Sequence, residues 1–279
     1  MQDKRRAYLT IDDSPTRHTD DLTDFLVQED VPAVLFCIGS AYQDLHVQCE
    51  GIEQNALPIL NAIHKGFVIG NHTYTHRRSS ELTFDEVIAE IEKTEDLIEQ
   101  LYREAGKIRP VKLIRFPHLD RGAGANIVDY DKAGDHRDAL LHLFTSGLNI
   151  DLQKPTWEQI DKKAKIQDYL KKEGFTANVY PGVTLPWYVK TEMAAARDSL
   201  MTFSTADWML NPDFREYSAP WPYKSLAALK GKIDDDKDLQ RTDTAHIILA
   251  HDHNNLFETT IELVRYMKAQ NFTFEEIAP

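Results

Sequence analysis

Short apolar runs of strand character alternate with longer stretches of helical periodicity along the whole chain, and this alternation restricts the fold to a parallel sheet with helices in its connections. The strand-like runs fall at residues 7–11, 33–38, 67–69, 111–115, 175–179, 247–250 and 272–274. Helical patterns fill the gaps at 20–28, 53–65, 84–105, 157–172, 187–199 and 256–270. Two of these carry start signals, Thr83 with Glu86 and Thr156 with Gln159, the spacing of a capping box. Seven or so parallel strands suit a distorted or incomplete (β/α) barrel better than an open sheet. A chain of 279 residues is a normal length for such a barrel in one domain. The expectation is therefore a single domain over 1–279. Loop excursions are expected near 118–155, rich in Gly and Asp, and 211–243, with Pro, Trp and Asp.

Charge and composition exclude several functions. A formal net charge of −13 works against a polyanionic partner, so nucleic acid is not the expected substrate. No apolar run approaches the roughly 18 residues that a membrane-spanning helix needs. Cys37 and Cys49 are read as buried free thiols, with one disulfide as the alternative. About five polar residues precede the first strand, without a charged-then-apolar leader, which leaves cytoplasmic and exported placements both open.

The chemistry lies at strand ends. Asp12 and Asp13 close the first run, His72 follows the third, Arg115 ends the fourth, and His251 follows the run at 247–250. In a parallel barrel those ends share one rim, where catalytic groups gather. Adjacent carboxylates disfavour each other's ionisation unless a cation offsets them. His72 and His76, four apart, would project from one face of a helical turn and, with one of the two aspartates, complete a two-His-one-carboxylate metal site with open positions. The second aspartate is then available as a base.

These residues resemble the motifs of the polysaccharide deacetylases of the NodB-homology type, carbohydrate esterase family four. The first motif reads Thr10-Ile11-Asp12-Asp13, the second His72 to His76, the third Arg115-Phe116-Pro117-His118, the fourth Asp207-Trp208 and the fifth Leu249-Ala250-His251. The resemblance implies that Asp13, His72 and His76 hold one divalent metal, with Asp12 as general base and His251 as general acid. Arg115 would pair with Asp12 and favour its charged form, and Asp207 would tune the acid side. Pro117, His118, Trp208 and Leu249 would face the substrate, with a backbone N–H near His118 at the oxyanion. Zinc is the first choice of metal, and the same donors accept cobalt, nickel, manganese or iron.

The implied activity is metal-dependent removal of acetyl groups from a glycan, above all the N-acetyl of an amino sugar. The alternatives are an O-acetyl esterase acting on a polysaccharide such as xylan, a hydrolase of non-sugar amides, and a carbohydrate-binding protein with a vestigial metal site. The family resemblance favours a secreted or periplasmic protein. Ile11 stands where Phe is usual, His118-Leu119-Asp120 where Tyr-Gly is common, and Ser204 where an aspartate begins the fourth motif. Those departures bear on substrate choice, as do Trp157, Trp187, Tyr188 and Trp221, which are candidate sugar-stacking rings. His251 and His253 share a face of an extended segment, and either could be the acid or a further ligand; the preceding leucine favours His251.

Overall fold

A computed structural model describes residues 4–40, 49–146, 148, 150, 152–212 and 221–279. Its framework is a six-stranded parallel sheet: β1 (Arg5–Ser14), β2 (Ala33–Cys37), β3 (Val68–Asn71), β4 (Phe203–Ser204), β5 (Ala245–His251) and β6 (Phe272–Phe274). The order is β3-β2-β1-β5-β4, and β6 pairs with the start of β1.

The two-residue period of β1 explains its central place. Ala7, Leu9 and Ile11 point to one apolar layer, which includes Leu22, Phe25 and Leu26 of the Thr19–Gln28 helix and Leu263, Val264 and Met267 of the Phe257–Ala269 helix. Tyr8 points the other way, into a second cluster with Val34, Phe36, Leu113, Ile247 and Leu249. Asp12 has the parity of Tyr8 and sits directly across from His251 of β5.

Segment 111–115, expected as a strand, is extended but makes only isolated bridges, at Lys112 and Ile114, and Phe175 is the one bridging residue of 175–179. Its pairing still continues the sheet: Arg115 N–H donates to the Asn71 carbonyl at the end of β3. Ser199 N–H donates to the Ile114 carbonyl, and Thr202 N–H to the Ile247 carbonyl. The chain from 199 to 204 thereby runs from one sheet edge to the other, giving a distorted, incomplete barrel.

Helix expectations fare unevenly. Both capping boxes form, ahead of the Phe84–Glu104 and Trp157–Lys172 helices. The pattern at 53–65 divides into Gly51–Gln54 and Leu57–Lys65, the second starting with a proline in its first turn. That at 187–199 shrinks to Pro186–Val189 and a 3₁₀ turn at Glu192–Ala195. Two stretches read as loop contain helices, Arg137–Thr145 and Leu226–Asp235, the latter capped by Ser225. Residues 213–220 of the second excursion lie outside the described residues. Cys37 and Cys49 are both buried free thiols, and no helix of the described residues is long and apolar enough to cross a membrane.

Candidate active site

Asp13, His72 and His76 converge at the carboxyl end of the sheet, all of them buried. Asp13 Oδ1 lies 3.2 Å from His72 Nε2 and 3.0 Å from His76 Nε2. Although that close to two ring nitrogens, this buried oxygen makes no hydrogen bond. Ligands held about 2.1 Å from one zinc ion at 90–110° stand about 3.0–3.4 Å apart, so both spacings fit a shared cation. His72 has the tautomer such a site requires: Nδ1–H donates to the Arg115 carbonyl at 2.7 Å and leaves the Nε2 lone pair facing Asp13. Burial pushes both imidazoles toward the neutral form. The carboxylates of Asp12 and Asp13 overcome it at His72, whose pKa is raised, whereas burial wins at His76, whose pKa is lowered. Asp13 is held well below the usual carboxylate range; burial opposes this, but the imidazoles around it, His76 first and then His253 and His72, outweigh it.

The histidines are not on a helix. Residues 72–78 form an irregular loop after β3, with positive φ at Thr73 and His76. The Asn71 side chain accepts from Thr73 N–H, and Glu90 accepts from both the backbone N–H and the hydroxyl of Thr75. Gly39 and Ser40 N–H groups donate to the carbonyls of Thr73 and Tyr74, fastening the loop to the chain that follows β2. Tertiary anchoring thus does what helical periodicity was expected to do.

Asp12 points to the same pocket and is braced by Arg115, whose Nη1 is 2.8 Å from Asp12 Oδ1 and 2.8 Å from Thr10 Oγ1. The arginine is fully buried; Nε donates to the Ser199 carbonyl, and the guanidinium lies 4.5 Å from the Phe36 ring centre. Asp12 Oδ2 stands 3.9 Å from His72 Nε2. On the other side His251 Nδ1 donates to Asp207 Oδ1 at 2.7 Å, and Asp207 Oδ2 accepts the His251 backbone N–H at 2.8 Å. Burial alone would lower the His251 pKa, but the Asp207 carboxylate, with smaller contributions from Asp13 and Asp12, lifts it to about 9. His251 is therefore an imidazolium at neutral pH.

A cavity of about 950 Å³ opens over these groups. Of the residues expected to meet substrate, His118, Trp208 and Leu249 line it. Pro117 does not; it is buried and begins the 3₁₀ turn at Pro117–Leu119. His118 packs edge-on to His76 at 4.8 Å, and burial, with the charges of His76 and Arg78 beside it, depresses its pKa to about 2. Trp221 lines the cavity in a T-shaped pair with Trp208, whereas Trp187 and Tyr188 are packed in the second apolar cluster and Trp157 is exposed and does not line the cavity. One wall is apolar, with Ile127 and, from the Arg137–Thr145 helix, Leu143 and Phe144. In the sequence this stretch reads as a loop, rich in Gly and Asp.

Strain gathers here. Nine non-glycine residues of the described chain have positive φ; Asp13, Thr73, His76, His118, Leu119 and Ala206 are at or beside the site. Left-handed backbone in such residues costs of order 1–3 kcal/mol each and persists where surrounding structure enforces it. Here it turns the side chains of Asp13 and His76 toward each other.

Residues 1–132 match the family model for polysaccharide deacetylase. The chain is 34% identical over 109 residues to a peptidoglycan-N-acetylglucosamine deacetylase of Bacillus cereus, an alignment covering 38% of this chain and 36% of that protein. It spans less than half the length of the curated relatives it matches. Among solved structures, the chitin deacetylase of the fungal pathogen Colletotrichum lindemuthianum superposes with a TM-score of 0.55 at 17% identity, covering 98% of this chain and 86% of that one. A peptidoglycan deacetylase of Bacillus subtilis gives 0.53 at 17% identity, over 98% and 87%. At such identities the likeness is one of fold. The family match thus covers residues 1–132, a little under half of the chain, and the solved structures extend the likeness of fold over nearly all of it.

Proposed function

We propose that this protein is a metal-dependent hydrolase that removes the N-acetyl group of an amino sugar within a glycan. The observation carrying this reading is the juxtaposition of the Asp13–His72–His76 donors with a braced carboxylate on one side and a braced imidazolium on the other. The unbonded Asp13 Oδ1 and the outward Nε2 of His72 fit a divalent cation, zinc first, with cobalt, nickel, manganese or iron accepted by the same donors. When bound, the ion would polarise the acetyl carbonyl and acidify water beside it.

The residues of the chain divide the remaining work. Asp12, its Oδ1 fixed by Arg115, takes a proton from the attacking water through the Oδ2 edge. The N–H groups of Leu119 and Asp120 are committed to the carbonyls of Phe116 and Pro117; the His118 N–H, in the same turn, is the donor we assign to the developing oxyanion. His251 gives its Nε2 proton to the departing nitrogen as the C–N bond breaks, leaving acetate and a free amine. Asp207 retains the Nδ1 hydrogen bond throughout. Trp208 and Leu249 shape the wall, and Pro117 acts through the turn it begins. A glycan substrate of the cell envelope implies export.

The test is acetate release from chitin oligomers, peptidoglycan fragments, acetylated xylan and small amides, with metal stripped by a chelator and then restored as zinc or cobalt. Metal-dependent acetate from the N-acetylated glycans is expected. Release from xylan alone would replace the amide reading with an ester one, and no release from any substrate would overturn the assignment.

A further inference from the structure

The exit of β5 carries two imidazoles, His251 and His253, and one turn braces both. The 3₁₀ turn at Asp207–Leu210 supplies Asp207, which binds His251, and the next residue, Asn211, has its Nδ2 3.1 Å from His253 Nδ1. The chemistry of the two braces differs. A carboxylate accepts a proton from Nδ1, as at His251. An amide nitrogen donates to Nδ1 and so makes it an acceptor, which places the ring hydrogen of His253 on Nε2. That Nε2 is 2.6 Å from Asp13 Oδ2, the carboxylate oxygen not directed at His72 and His76. A carboxylate oxygen only accepts, so at this distance Nε2 carries the hydrogen that faces Asp13. His253 and Asn211 are both buried, so this relay has little competition from water.

We propose that His253 is a positioning residue for Asp13: the relay Asn211–His253–Asp13 occupies Oδ2 and commits the carboxylate to present Oδ1 alone to the metal. This rests on the metal reading given above. It also separates two histidines that share a face of one extended segment. The turn residue opposite each decides its task, an acid paired with Asp207 and a hydrogen-bond donor to Asp13 paired with Asn211. His253 is then neither a proton donor to substrate nor a fourth ligand.

The test is zinc affinity, measured on the whole metal-stripped chain by competition with a chelating dye, with cobalt absorption as a report on carboxylate binding. His253→Ala is expected to weaken zinc binding by about 10- to 100-fold, the usual consequence of losing such a partner. It should also change the cobalt spectrum, because Oδ2 is released. His253→Gln, whose side-chain N–H can reach the position of Nε2, should restore most of the affinity. Asn211→Ala should weaken it in the same direction by less. Unchanged affinity in His253→Ala, or a Gln variant as weak as the Ala variant while circular dichroism shows both folded, would overturn the proposal. Wild-type chain that takes up no zinc would overturn the metal reading and this one together; normal wild-type uptake with an indifferent His253→Ala would overturn this one alone.

Discussion

Asp12 and His251 each depend on one partner of opposite charge, and the consequences of removing either side differ. Asp12→Asn keeps the shape of the side chain but removes the proposed base, so kcat is expected to fall by about 10²- to 10⁴-fold. Zinc affinity should persist, since Asp12 is outside the Asp13–His72–His76 group; acetate release and dye competition on one preparation check both. With the His251 pKa lifted to about 9, kcat/KM should be lost on the basic side as pH rises through that value, and Asp207→Asn should move the limb to lower pH. A basic limb unmoved in Asp207→Asn would contradict the assignment of His251. The stability sign follows: because the folded pKa lies above the ordinary value of 6.5, the stabilisation from protonated His251 is fully present below about 6.5 and vanishes as pH rises through about 9. At this scale most of the site was legible, because carboxylates and imidazoles at strand ends have few neutral explanations when four of them coincide. The leucine before it favours His251 as the acid, but the task of His253 is not legible in the sequence. It depends on whether residue 207 or 211 lies opposite each ring.

At the scale of elements, the 72–76 loop holds the donors by docking on its neighbours. A Cβ at Gly39 would come within 2.5 Å of Tyr74 Cδ2 and 2.7 Å of Thr94 Oγ1, closer than any real contact, so Gly39→Ala must displace the loop. Overpacking of this kind costs about 1–3 kcal/mol. Denaturant unfolding should register that loss, and zinc affinity should fall with it although Gly39 touches no donor. Segment 111–115 gives a second case. Its arginine is buried within the barrel, and Arg115→Met would strand the Asp12 charge; breaking a buried pair on one side costs about 3–5 kcal/mol. Thermal unfolding of Arg115→Met against Asp12→Asn checks this, the arginine variant being the less stable. The long strands and capped helices were readable because their periodicity repeats over many residues. β4 has only Phe203 and Ser204, too short to leave a period, and the Arg137–Thr145 helix is hidden in a stretch whose glycines and aspartates read as loop.

For the molecule as a whole, the three donors come from two segments nearly sixty residues apart, and Asp12 reaches Arg115 over 103 positions. A ligand that only the folded chain can bind stabilises it by mass action, about 2.7 kcal/mol at 100 times Kd. Zinc should therefore raise Tm by several degrees over the chelated protein, and a scan with identical melting in both would speak against the site. The sequence by itself determined the strand–helix alternation, the parallel barrel and the donor chemistry at its rim, because periodicity and residue type are local properties. Only the tertiary structure decided that His72 and His76 meet on a strained loop, that Arg115 lies buried between Thr10 and Asp12, and which histidine each brace receives. Those outcomes depend on distances between remote segments, and sheet register and the crossing of 199–204 between the sheet edges set them.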